Sequence, residues 1–180
     1  FMTVNNTMIT TGTSAIFQLY LRVDSVEMHN NLIHRTDGSP KILDEADVVW
    51  AIGSRVVGGS NNWVNTGATL VPSEWTGTIS ASNPGLANLG TLDLQLASSS
   101  GAINQGGTLL LSPSGHAFPN PLSLPSKLPP QRTIEADNGA ISRPVSGAID
   151  LGAFEYGGAQ PSPTPTPTPT VTATPTPTPT

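Results

Sequence analysis

Three Asn-Asn pairs, each followed by a short alternating run, constrain this chain more than any other feature. VNNTMI begins at Val4, HNNLIH at His29 and SNNWVN at Ser60, which places them 25 and 31 residues apart. A repeat of this period points to stacked units, each of which leaves an apolar face uncovered until a neighbour packs on it. Aligning the pairs puts Met8, Ile33 and Val64 in one apolar column, with Thr7 and Ile9, or Trp63 and Asn65, turned to the other side. Asparagine suits such a position because it tolerates the left-handed backbone of a sharp bend and its amide can bond the adjacent unit. Stacking would line Asn5, Asn6, Asn30, Asn31, Asn61 and Asn62 into a ladder. Either Asn of a pair can occupy the bend.

The rest of the chain favours strands over helices. Charged residues are 11% of the chain against roughly 25% in an average domain, so the polar surface falls to Ser, Thr, Asn and Gly, all mediocre helix formers. The stretch SPKILDEADVVWAI (39–52) is the best helical candidate, but its β-branched and aromatic end predicts a strand with a helical turn at 41–46. Residues 66–90 read as an excursion with turns at Pro72 and Pro84. The Pro-rich stretch 112–133 reads as a surface loop whose Phe118, Leu122, Leu124 and Leu128 cover the end of the stack.

Residues 159–180 alternate mostly Thr and Pro. Such a segment lacks both apolar side chains and many backbone donors, which predicts a disordered, extended, polyproline-like spacer. Thr-Pro alternation is also a common composition of O-glycosylated stalks, which points to a secreted or cell-surface setting with an anchor or a further domain beyond Thr180. The strand-like opening FMTVNNTMI reads as the interior of a longer protein. The net charge of −5, without a basic patch, argues against nucleic acid. No apolar run approaches the ~18 residues that span a bilayer, and a monomer is expected. The chain has no cysteine, so disulfides and thiol chemistry do not enter.

Three stretches then occur in order: NPGLANLGTLDLQLASSSGAINQGG (83–107), ADNGAISRP (136–144) and GAIDLGAFEYGG (147–158). Together they resemble the C-terminal end of bacterial right-handed parallel β-helix proteins of the pectate-lyase-like superfamily, and more narrowly the choice-of-anchor Q domain. The matching residues are Asn83-Pro84-Gly85-Leu86, Asp93-Leu94-Gln95-Leu96, Ser100 to Gly106, Arg143-Pro144, and Asp150 to Glu155. Gly101 stands where that family has Pro, and Asn104 where it has Asp. The resemblance implies an all-β right-handed parallel β-helix over residues 1–158, ending in its last coils and a C-terminal cap. Asn104, Gly106, Arg143, Asp150, Gly152 and Glu155 would hold that cap, with Arg143 paired to Asp150.

Enzymes of that superfamily cleave acidic polysaccharides with Lys or Arg bases, often with Ca²⁺, or with clustered aspartates. Lysine occurs here only at 41 and 127. Asp44, Glu45 and Asp47 are the one acidic cluster able to offer oxygen ligands to Ca²⁺. No other cofactor is implied. His29, His34 and Arg35 flank the second Asn pair, and on one face beside Trp63 of the next unit they would suit polysaccharide binding by stacking and hydrogen bonding, with His34, Arg35 and Trp63 as the contact residues. No Ser/His/Asp pattern, phosphate loop or His/Cys metal motif is evident. Three functions follow: a structural end displayed on a Thr-Pro spacer, part of a polysaccharide lyase or glycoside hydrolase with its catalytic residues upstream, or a carbohydrate-binding or adhesive surface.

Overall fold

The computed structural model describes residues 1–129, 142–144 and 147–157. The Thr-Pro segment 159–180 expected as a disordered spacer lies outside these described residues, as do Ser146 and Gly158. Strands β1 (Met2–Val4), β4 (Val26–His29) and β7 (Val57–Ser60) form one parallel sheet. A second, also parallel, joins β2 (Thr7–Thr10), β5 (Leu32–Arg35), β8 (Trp63–Asn65) and β9 (Ile79–Ala81). A third pairs β3 (Ala15–Val23) with β6 (Lys41–Trp50). The fourth is an antiparallel pair, β10 (Leu86–Asn88) with β11 (Asp93–Leu96). Each Asn-Asn pair is the corner between the first sheet and the second.

The register follows the repeat. Met8 lies opposite Ile33, and Ile33 opposite Val64, so the aligned apolar column is one row of a parallel sheet. That row faces a core of Leu19, Val26, Met28, Ile42, Leu43 and Val57, with Trp75 packed across its end. The other side of the second sheet is buried too. Leu32 and Trp63 pack there against Leu96, Ala102 and Leu151 from the C-terminal part of the chain.

The expected right-handed parallel β-helix is not what the strands form. Among the described residues they belong to four separate sheets of three, two, four and two strands, which do not close into a solenoid, and one pair is antiparallel. The physical reason lies after Asn65. Pro72 and Pro84 cannot donate to a ladder, and the third unit meets only the start of β6, through the bridge of Lys41 with Thr69 and the N–H groups of Ile42 and Leu43 on the Thr69 and Leu70 carbonyls, without forming a strand there. After β9 the chain folds back as the antiparallel β10–β11 pair, and Leu96 covers the flank at Leu32 and Trp63 instead of extending a parallel sheet.

Three local expectations change with it. Residues 41–46 form no helical turn, because β6 runs unbroken from Lys41 to Trp50, pairing with β3 across a bulge at Gln18/Tyr20. The stretch 147–157 is not a last strand and caps no end: it crosses the corners of the first two units as irregular chain. Of the stretch 112–133 expected to cover an end, residues 130–133 lie outside the described residues and 112–122 lie elsewhere, joined to 107–111. Residues 107–122 form a strap over the outer face of β4 and β7, closed by the antiparallel bridge of Leu110 with Leu122. Gly58 permits this approach, since a Cβ there would stand 2.7 Å from Pro113 Cδ.

Candidate functional site

The two asparagines of each pair have different roles. Asn5, Asn30 and Asn61 have φ of 53°, 56° and 53°, so the first of each pair occupies the left-handed bend. The second builds the ladder. Asn31 Oδ1 accepts the backbone N–H of Asn6 at 3.0 Å, and Asn62 Oδ1 accepts that of Asn31, also at 3.0 Å. Asn31 and Asn62 are completely buried, and their amides also donate to the carbonyls of Thr3 and Met28.

The bend asparagines hold the returning chain. Asn30 exchanges two bonds with Gly107, donating to its carbonyl at 2.9 Å and accepting its N–H at 2.8 Å. Asn61 donates to the Gln105 carbonyl, and Asn5 to that of Asp150. Asn104 repeats the left-handed geometry at φ 56°, and its N–H donates to Asp150 Oδ1. Gly106 is needed for contact: its N–H donates to the Ile149 carbonyl at 2.7 Å, where a Cβ would stand 2.5 Å from Ile149 Cγ2.

Arg143 pairs with Glu155 and not with Asp150. Its Nε donates to Glu155 Oε1 at 2.7 Å, while its other nitrogens donate to the carbonyls of Ala153 and Gly152. Asp150 instead accepts N–H groups from Asn104 and Tyr156, and Glu155 accepts the N–H of Asp150. All three side chains are buried. Gly152 and Ala153 tie this knot to the first units, donating to the Asn30 carbonyl and to Thr7 Oγ1.

The proposed substrate surface of His34, Arg35 and Trp63 is internal. His34 and Trp63 do meet, edge to face at 5.8 Å, but Trp63 is only 1% exposed and its indole offers no open face to a sugar. Covering by Leu96, Ala102 and Leu151 is the reason. Arg35 is held by Asp37 at 2.6 Å and by the Ser39 carbonyl. Burial lowers the His34 pKa below the ordinary imidazole value. Asn65 fixes its tautomer: Asn65 Oδ1 accepts the Arg35 N–H, so its amide nitrogen donates to an unprotonated His34 Nδ1 at 3.1 Å.

The three acids do not gather around a cation position. Glu45 grips Arg55, which also reaches Glu74, and Asp44 Oδ1 accepts the Ala46 N–H two residues along the same strand. Among the described residues no group of three or more His, Cys, Asp or Glu is arranged to hold a metal ion. Asp44 and Asp47 instead lie across the bulge from Gln18 and Tyr20, and the Tyr20 ring is 56% exposed there.

One polar cluster was not foreseen. Glu27 and His29 alternate on the outer face of β4, yet they are 0% and 1% exposed because the strap lies over them. His29 Nδ1 meets Ser60 Oγ at 2.9 Å, its Nε2 stands 3.6 Å from Glu27 Oε2, and Ser112 Oγ of the strap donates to the same carboxylate oxygen at 2.5 Å. Glu27 Oε1 and His29 Nε2 have no hydrogen-bond partner. Burial lowers the His29 pKa, and the neighbouring carboxylate only partly offsets it. The order Ser–His–Glu resembles a nucleophile relay, but the acid is beyond hydrogen-bond reach of the imidazole and the strap buries both. The alternation of two polar residues with Val26 and Met28 was a visible signal; the covering serine, 85 residues away, was not.

Among the described residues no helix is long and apolar enough to cross a membrane. No family model, no curated protein and no solved structure matches this chain, so the resemblance to pectate-lyase-like proteins rests on the motifs themselves.

Proposed function

We propose that this chain is a non-catalytic structural module of a secreted or cell-surface protein, with the Thr-Pro segment as its spacer. The observation that carries this reading is the fate of the polar side chains. Asn5, Asn30, Asn31, Asn62, Arg143, Asp150 and Glu155 are buried and spend their hydrogen bonds on the chain's own backbone and on each other. Groups committed in this way hold shape and are not free to move protons on a substrate. The extracellular setting is supported by the composition of residues 159–180. The test is incubation with pectate, alginate and neutral polysaccharides, following unsaturated products by absorbance and new reducing ends. No turnover is expected. Turnover that disappears in a Glu27→Gln variant would replace this reading with an enzymatic one.

A second reading, contact with polysaccharide, is favoured by the exposed Tyr20 ring with Gln18, Asp44 and Asp47 around it. An exposed tyrosine can stack on a sugar face while amide and carboxylate groups bond its hydroxyls. The two carboxylates favour uncharged glycans over uronates. Retention on an insoluble neutral glycan that is lost in Tyr20→Ala supports this contact; no retention of the parent chain removes it.

A further inference from the structure

We propose that Glu27, His29 and Ser112 form an acid-sensitive latch that fastens the strap of residues 107–122 over the β1–β4–β7 sheet. Three observations carry it. Beyond Gly107, which Asn30 fixes by two bonds, the strap is held to β4 and the preceding Ser25 by few polar contacts, Ser112 Oγ to Glu27 Oε2 at 2.5 Å and the Ala117 N–H to Ser25 Oγ at 3.1 Å. The strap also makes the cluster inaccessible, since Glu27 and His29 are 0% and 1% exposed beneath it. Finally, Glu27 Oε1 and His29 Nε2 are both left without a hydrogen-bond partner in that enclosure.

A buried imidazole with an unpartnered nitrogen resists taking a proton, because the added charge would sit in a medium that cannot solvate it. Exposed to water it takes the proton readily. Closed strap and protonated His29 therefore oppose each other, and acid favours the open form. The charge beside His29 is Glu27, which already accepts from Ser112, and at the start of the same edge the Phe1 ammonium donates to the Ser25 carbonyl at 2.8 Å. From β7 the facing group is the Ser60 hydroxyl, and from β1 the facing neighbour is Val4. Asp24, beside Ser25, is exposed, and the strap's own His116 turns its Nδ1 to the Pro113 carbonyl at 2.7 Å. Lowered affinity for the proton in the closed form agrees with the geometry.

The sign follows from linkage. The closed form holds His29 neutral and the open form holds it at about 6.5, so closure is complete above that value and weakens as pH falls toward the lower, closed-state value. The test is hydrogen exchange of the intact chain, read by mass spectrometry at pH about 7.5 and about 5 and corrected for intrinsic rates. Opening of peptides within 107–122 should rise by about tenfold for each pH unit that separates the two His29 values. Peptides from β5 and β8 should stay protected. In His29→Gln the extra opening should vanish, and a strap that opens equally with acid in that variant would overturn the latch. If the variant does not fold, the imidazole C2 proton of His29 is titrated in the parent chain. A midpoint below 6.5 that coincides with strap opening supports the proposal; a midpoint at or above 6.5, or no opening at all, rejects it.

Discussion

Asn62 holds Asn31 twice: its carboxamide oxygen accepts both the backbone N–H and the side-chain N–H₂ of Asn31, each at 3.0 Å. Asn31 repeats the backbone part of this contact with Asn6, whose own side chain is exposed. Replacing Asn31 by Ala therefore strands the Thr3 carbonyl and the Asn6 N–H. A loss of about 2–6 kcal/mol in urea unfolding is expected, at about 1–3 kcal/mol per buried polar group left unpaired. Asn6→Ala is the internal control and should cost less than about 1 kcal/mol, because water replaces its bonds.

Two glycines separate packing from backbone strain. A Cβ at Gly106 would lie 2.5 Å from Ile149 Cγ2 and 2.7 Å from its carbonyl oxygen, with an ordinary φ. Gly157 has a φ of 72° and empty space around it. Gly106→Ala should lower the melting temperature through overpacking, at about 1–3 kcal/mol. Gly157→Ala should cost only about 1 kcal/mol of left-handed strain. Equal effects would mean that the 104–107 and 147–150 segments are not in close contact.

Arg143 serves Glu155 and two carbonyls with one planar fork. Lysine keeps the charge but presents a single ammonium, so Arg143→Lys should recover little. Arg143→Met should cost about 3–5 kcal/mol, because Glu155 is left as a buried, uncompensated carboxylate. The double variant Arg143→Met/Glu155→Gln should regain part of that loss. Chemical denaturation of the parent, Arg143→Met, Glu155→Gln and the double variant completes the cycle.

Trp63 and Tyr20 should divide stability from binding. Trp63→Ala removes a buried indole and should cost about 3–5 kcal/mol without altering glycan retention. Tyr20→Ala removes an exposed ring and should leave the melting temperature unchanged while abolishing any retention.

Acid should destabilise the fold through its imidazoles. His34 is held neutral, chiefly by burial, so the unfolded chain binds the proton better. Its contribution is complete above about 6.5 and is lost as pH falls toward its lower folded value. Urea midpoints at pH about 7.5 and about 5 should therefore differ less in His34→Gln than in the parent chain.

What could be read in advance was whatever repeats locally. Met8, Ile33 and Val64 carry their register in the spacing of the Asn pairs, and the bend needs a residue that tolerates positive φ. The role of each Asn within a pair was hidden because both types of bond suit the same side chain. Trp63 looked like a sugar platform because alternation assigns a face and does not say what covers it. Its cover comes from Leu96, Ala102 and Leu151, and the partner of Arg143 changed for the same reason: several carboxylates lay within reach, and only packing chose. The burial of Glu27 and His29 depends on Ser112, 85 residues from Glu27, and no local pattern carries it.

The bond from Asn5 to the Asp150 carbonyl joins residues 145 positions apart, and Ala153 reaches Thr7 across 146. On a ribosome the first unit is thus synthesised early and finished late, after almost every other described residue has emerged. Contacts of such separation close slowly, since the loop entropy is spent before any bond repays it. During that interval Asn5 and Asn30 hold their bends without the chain that later satisfies them. Refolding from urea should accordingly show the β4–β5–β7–β8 amides protected before those of residues 149–153.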